Sequence, residues 1–135
     1  MIIVYAYVCG DILHKGHFLA LRNAKSFGDK LIVGVLTDAA IMEKKPKPIL
    51  PFEQRIDLIS ALKSVDCVVA QETYSPLKNV EEIKPDILME STSHARDPEF
   101  EKAVEKLRCR IIRLPYYPGN SSTAIKEKIR AARNS

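Results

Sequence analysis

Cysteine is scarce in this chain, and its few copies follow no pairing pattern. Cys9, Cys67 and Cys109 are odd in number, widely spaced and include no C-x-x-C, which argues against a disulfide framework or a zinc site. Each sits in or beside an apolar run, so buried reduced thiols are expected and no metal site is assigned. Long hydrophobic runs are missing too. None approaches the roughly 20 residues that cross a bilayer, and no basic segment with a cleavage site opens the chain. A cytoplasmic protein without a membrane partner is the expectation. Charge of one sign is also in short supply: 21 Lys and Arg against 17 Asp and Glu leave a net charge of +4. The basic residues are spread out apart from Lys44-Lys45-Pro46-Lys47, and no exposed aromatics are interleaved with them. That balance suits small anionic substrates, and no nucleic acid is expected as a partner.

What is present reads as an ordinary globular protein. A length of 135 residues with 46% hydrophobic and 28% charged residues suits a single domain over 1–135 with one substantial core. Apolar, β-branched runs at 2–9, 30–36, 66–70, 86–89 and 110–114 predict strands. Between them lie helical patterns from His14, from Pro51 through Val65, at 76–83, at 97–107 and from Ser122. Phe18, Leu19, Leu21 and Ala24 form the inward stripe of the first helix. Phe52, Ile56, Leu58, Ile59 and Leu62 form that of the second, and Ile125 and Ile129 that of the last. The β-α alternation predicts an α/β fold: a Rossmann-like, doubly wound, five-stranded parallel sheet with helices on both faces. Ligands of such sheets bind outside the carboxyl ends of the strands.

His14-Lys15-Gly16-His17 falls at that place, where the first strand gives way to the first helix. Gly16 lets backbone approach a ligand, and the first helical turn offers unpaired N–H groups and a positive dipole end. Two imidazoles three residues apart can converge on one anion there; a cap or a surface packing role is the simpler reading of each alone. Lys44 and Lys47, in a loop braced by prolines, can close over a triphosphate or form a solvated basic loop. Gly119, Ser121, Ser122 and Thr123 precede or open the last helix. Their hydroxyls and N–H groups serve as ordinary N-caps, as a seat for phosphate oxygens, or as both.

The His14–His17 pattern resembles the H-x-G-H signature of the nucleotidyltransferase superfamily. Pro51-Phe52-Glu53-Gln54-Arg55 is similar to that family's P-x-E-x-R helix start, and Ser121-Ser122-Thr123 to its S-T-T positions. The likeness to glycerol-phosphate cytidylyltransferase and to the heptose-phosphate adenylyltransferase domain spans nearly the whole chain. It implies that His14, His17 and Lys44 are catalytic. It implies further that Cys9, Gly10, Asp11, Gly16, Lys47, Arg55 and the terminal Gly/Ser/Thr group bind the nucleotide, with Arg55 facing the site. Asp11 has an alternative as a turn cap, and Arg55 one as a salt-bridge partner of Glu53 or Asp57. Asp38, Glu90, Ser91, His94 and Tyr116 are candidates for recognising the base or the acceptor, with Glu90, Ser91 and His94 placed in the loop after the fourth strand. Two features depart from the family: Val8-Cys9-Gly10 stands before the aspartate in place of G-T-F or G-C-F, and Tyr116 replaces an arginine. The likeness implies transfer of CMP from CTP to a small phosphate- or phosphonate-bearing acceptor, with Mg²⁺ carried on the nucleotide. The alternatives are adenylyl transfer from ATP, of the heptose-phosphate or FMN type, and a non-catalytic nucleotide-binding protein. A homodimer is also implied.

Overall fold

The computed structural model describes residues 1–92, 94–115 and 122–133, with side chains in the final helix from 126 to 132. Among the described residues five strands form one sheet: β1 (Ile3–Val8), β2 (Lys30–Leu36), β3 (Cys67–Gln71), β4 (Ile87–Ser91) and β5 (Arg110–Leu114). All neighbours are parallel, in the order β3-β2-β1-β4-β5. The helices are α1 (Lys15–Ser26), α2 (Asp38–Met42), α3 (Phe52–Ser60), α4 (Leu77–Ile83), α5 (Pro98–Lys106) and α6 (Ser122–Arg133). The Rossmann-like α/β fold is therefore as expected.

Both faces of the central strands are covered, which is why β1 and β2 read as nearly continuous apolar runs. Val4 and Ala6 pack with Leu21 and Ala24 of α1 and Ile59 of α3. Tyr5 points to the opposite face, as strand alternation requires, and packs with Val80 of α4 and Val104 of α5. At the amino ends of the strands, aspartates take up backbone donors that have no neighbour in the ladder. Asp29 accepts from the N–H of Ile2, Asp86 from that of Ile3 and Asp66 from that of Leu31. The carboxyl ends are left for chemistry. There β1 pairs with β2 as far as Val8↔Val35, but with β4 only at Val4↔Ile87 and Tyr5↔Leu88. The ladder stops short of Tyr7 and Glu90, at the point where strand order reverses and open α/β sheets place their ligands.

Several local expectations change. The helix α2 has no apolar repeat long enough to announce it; it is started by Thr37, whose hydroxyl accepts the Ala40 N–H at 3.1 Å. The helix α3 ends at Ser60, not Val65, and a turn follows in which Val65 N–H donates to Leu62 O. Leu62 and Val65 still pack on the core, so their spacing mimics a longer helix. Phe18, Leu58 and Ile129 were placed inward but are 48%, 45% and 50% exposed. Leu21 and Ala24 of α1 and Ile59 of α3 are buried as expected, and Arg55 joins the inward side of α3. The strand β4 continues to Ser91, which makes Glu90 and Ser91 strand residues. The three cysteines are free, but only Cys109 is buried; Cys9 and Cys67 are half-buried.

One close approach sets a constraint on β2. The Tyr5 hydroxyl lies over Gly34, donates to Gln71 Oε1 at 2.6 Å and accepts from Asn79 Nδ2 at 2.9 Å. Burial pushes the Tyr5 phenol up to about 12, so it stays neutral. A Cβ on Gly34 would stand 1.9 Å from that oxygen. Gly34→Ala is therefore expected to lower unfolding free energy by about 1–3 kcal/mol, as overpacking does, read from urea melts of the two proteins.

Candidate active site

The turn between β1 and α1 brings two imidazoles together. His14 is the N-cap of α1; its Nδ1 accepts the Gly16 N–H at 3.0 Å, while His17 Nδ1 accepts the His14 N–H at 3.3 Å. This is a reciprocal capping box built from histidines, with ring centroids 4.1 Å apart. Because each Nδ1 accepts, a neutral ring carries its proton on Nε2. Burial, with a contribution from His14, lowers the His17 pKa to about 4, and burial also lowers that of His14. At neutral pH both rings are thus uncharged Nε2–H donors. The first turn of α1 contains no acidic residue, so its positive end is left for an external anion. The capping and ligand-binding readings are compatible, since capping occupies only Nδ1.

Gly10 precedes this turn at φ +71°, in the left-handed region. There a side chain would be strained. Asp11 follows and is 4% exposed. Its carboxylate accepts the N–H groups of Leu50 at 2.8 Å and Ile49 at 3.0 Å, and pairs with Lys126 of α6. Burial opposes its ionisation, but the bonds from Leu50, Lys126 and Ile49 outweigh it and hold the carboxyl below its ordinary range. Asp11 thereby joins the β1 turn, the segment before α3 and the last helix. Lys126 carried no assigned role in the sequence, because no motif singles out one lysine on an amphipathic helix.

Arg55 departs from its expected orientation. Its side chain is fully buried. Nε donates to Leu50 O at 3.0 Å, Nη1 to Cys9 O and Leu36 O at 2.6 Å each, and Nη2 to Asp38 Oδ1 at 2.6 Å. It braces the site from beneath and does not face it. Asp38, a candidate for reading base or acceptor, is the counter-ion of this arginine. Cys9 contributes its carbonyl to the brace, and burial raises its thiol pKa.

Lys44 and Lys47 lie in the exposed loop between α2 and α3. Lys44 Nζ sits 5.1 Å from the Tyr74 ring centroid, and Glu43 accepts the Tyr74 N–H at 2.9 Å. These residues border a cavity of about 710 Å³ on the α4–α5 side of the sheet. Its polar wall is a cluster of Tyr7, Glu90 and His94. The Tyr7 hydroxyl donates to Glu90 Oε1 and Oε2 at 2.9 and 2.8 Å, and His94 Nδ1 lies 3.2 Å from Oε2. Burial, then the Glu90 charge, raises the Tyr7 pKa well above its ordinary value. Tyr74, Leu77, Phe100 and Ile111 give apolar surface. Ser91 stands at the end of β4, where its carbonyl accepts from His94 N–H at 3.2 Å. Tyr7, Tyr74 and Phe100 were not singled out from sequence, since aromatics in strands and loops usually signal core. Tyr116, Gly119 and Ser121 lie outside the described residues, as do the side chains of Ser122 and Thr123, whose backbone opens α6.

The cytidylyltransferase-like family model matches residues 8–128, which takes in all of these groups except Tyr7. The chain belongs to that family. Among curated relatives, the FAD synthase of Methanoculleus marisnigri is 38% identical over 96% of this chain and 89% of its own length. The bifunctional protein HldE of Helicobacter pylori (strain P12) is 35% identical over 98% of this chain. This chain spans only 28% of that longer protein. The crystal structure of the lipopolysaccharide core biosynthesis protein from Thermoplasma volcanium GSS1 is 35% identical. It overlays with a TM-score of 0.80 over 87% of this chain and 98% of that one. The pantoate-beta-alanine ligase of Francisella tularensis, at 17% identity and a TM-score of 0.56, shares the fold. The chain is nucleotidyltransferase-like, with a Rossmann-like fold. No helix among the described residues is long and apolar enough to cross a membrane.

The lowered histidine pKa values make stability pH-dependent with a definite sign. Between about pH 6.5 and 4 the unfolded chain binds protons that folded His17 and His14 resist, so acid favours unfolding. Unfolding free energy from urea melts should be level above about pH 7 and fall through that window, and His17→Gln should flatten the fall. Arg55→Met should cost roughly 3–5 kcal/mol in the same assay, because it leaves buried carbonyls and Asp38 without their partner.

Proposed function

We propose that the protein transfers the adenylyl group of ATP to the phosphate of a small acceptor and releases pyrophosphate. The observation that carries this reading is the pair of neutral imidazoles, His14 and His17, whose Nε2–H donors stand at a helix start free of acidic side chains. CTP was the nucleotide favoured on sequence alone. Support for ATP comes from the relatives named FAD synthase and HldE, whose likeness runs over nearly all of this chain. FMN, the acceptor that the name FAD synthase suggests, and heptose phosphate, implied by the resemblance to the heptose-phosphate adenylyltransferase domain, are the acceptor candidates.

An acceptor phosphate oxygen attacks the α-phosphorus in line, the bond from that phosphorus to the β-phosphate oxygen breaks, and pyrophosphate leaves with the electron pair. The nucleophile is already anionic, so the chain need not supply a strong base; positioning and charge stabilisation do the work. His14 and His17 donate to α- and β-phosphate oxygens as negative charge builds there. Lys126, held at Asp11, and Lys44, on its exposed loop, neutralise the leaving group. Lys47, Gly16, Gly119, Ser121, Ser122 and Thr123 complete the triphosphate seat. Among the described residues no three acidic, histidine or cysteine side chains cluster to cage a metal, and the Asp11 carboxylate is engaged by three donors. That donor set fits Mg²⁺ arriving on the triphosphate, where it would offset phosphate charge.

Thermal unfolding with ATP or CTP, each with Mg²⁺, tests the nucleotide. A ligand bound only by the folded state raises the melting temperature, and the rise is expected with ATP; a rise with CTP alone would return the assignment to cytidylyl transfer. His17→Ala should lower kcat by about 10²–10³-fold, the usual cost of one charge-stabilising donor, while its circular dichroism spectrum stays native. Near-normal turnover in that variant would sink the mechanism.

A further inference from the structure

The cavity on the α4–α5 side has a charge balance opposite to that of a phosphate site. Carboxylates from Glu43, Glu90, Asp97, Glu99 and Glu101 line it; of these, Glu101 is held by Arg96 and Asp97 caps α5. Its permanent cations are Lys44 and Arg113. Arg113 is already committed: Nη2 donates to His94 O at 2.5 Å, and Nη1 lies 4.0 Å from Glu101. Lys44 is exposed and rests against Tyr74. Glu90 is the most enclosed of the carboxylates, at 8% exposure. Its oxygens receive the Tyr7 hydroxyl and face His94 Nδ1, and a carboxylate offers about four lone-pair directions, so capacity for another donor remains.

We infer that Glu90, set by Tyr7 and His94, is the specificity-determining group for the acceptor. It selects a body that ends in a hydrogen-bond donor (hydroxyl, imide N–H or ammonium) and rejects a second anionic group. An anion beside Glu90 would meet like charge in a half-enclosed space where Arg113 is already committed. The remaining cation of the described lining, Lys44, is exposed against Tyr74, an arrangement that costs affinity. A donor-headed body gains a charge-assisted hydrogen bond instead, and Phe100, Leu77 and Ile111 cover its carbon skeleton. The acceptor therefore carries its single phosphate at the His14–His17 side and an uncharged or cationic head in the cavity. This inference takes from the proposed transfer only that the acceptor is phosphorylated.

The test is calorimetric binding to the whole protein, in the presence of a non-hydrolysable ATP analogue, of a matched pair of probes. Glycerol 3-phosphate and 3-phosphoglycerate differ by a hydroxymethyl against a carboxylate. Phosphoethanolamine and FMN form two further arms that separate ammonium and imide heads from hydroxyl. At least one donor-headed probe should bind about tenfold or more tightly than 3-phosphoglycerate. Glu90→Gln, which keeps the shape, should narrow that gap, and Glu90→Lys should close or reverse it, provided its melting curve stays cooperative. Equal or tighter binding of 3-phosphoglycerate to the wild type, an unchanged ratio in Glu90→Gln, or no binding of any donor-headed probe would each overturn the assignment. Pyrophosphate release is measured separately with the same acceptors. Selectivity without release would keep the cavity assignment and remove the transfer; release with no dependence on Glu90 would do the reverse.

Discussion

The guanidinium of Arg55 holds four segments at one point. It reaches the Cys9 carbonyl just after β1, the last carbonyl of β2 at Leu36, the Leu50 carbonyl before α3, and the Asp38 carboxylate at the start of α2. A fully buried arginine is costly to desolvate, and only a nearly complete set of acceptors makes it tolerable. Once those acceptors are gathered, the ends of β1 and β2 cannot move independently of the loop that carries Lys44 and Lys47. The phosphate side of the site is therefore rigid below and open above. Asp11 repeats the device from the other direction, drawing the Ile49–Leu50 backbone and Lys126 of the last helix to the turn after β1.

On that platform the reactive turn needs little more than geometry. Each histidine spends one nitrogen on the start of α1 and keeps the other as a donor, so helix capping and phosphate contact are one arrangement. Burial keeps both rings neutral, which suits a role in hydrogen bonding rather than proton transfer. Across the point where strand order reverses, the character changes. The short ladder between β1 and β4 leaves Tyr7 and Glu90 facing each other, and the space beside them is acidic and aromatic. A substrate with a phosphate at one end and a donor-bearing body at the other matches this division.

Much of this was legible in the chain. The apolar runs at 30–36 and 110–114 announce strands because both faces of a covered parallel sheet are dry, and the strand–helix alternation then implies the layers. The H-x-G-H, P-x-E-x-R and S-S-T pieces, in that order, marked the carboxyl edge of the sheet as the place for chemistry. Less was legible about individual roles. Arg55 read as a phosphate ligand because its P-x-E-x-R context resembles a motif whose arginine faces the site. Its burial follows from the nearby Leu50 carbonyl together with those of Cys9 and Leu36, which are distant in sequence. Asp38 read as a base or acceptor candidate, and its partner, the buried Arg55 guanidinium, lies 17 positions along the chain. The end of α3 at Ser60 was hidden because Leu62 and Val65 pack on the core from a turn, and apolar spacing records burial, not backbone geometry.

Periodicity and motif order, then, determined by themselves the α/β class, the strand sequence and the position of the histidine turn, since these depend on neighbours along the chain and on which faces are dry. Tertiary structure alone decided that Arg55 is a brace, that Lys126 joins Asp11, and that Tyr7, Glu90 and His94 form one cluster. Most of those contacts link residues 17–115 positions apart, and no local pattern encodes which distant carbonyl or carboxylate a side chain will meet.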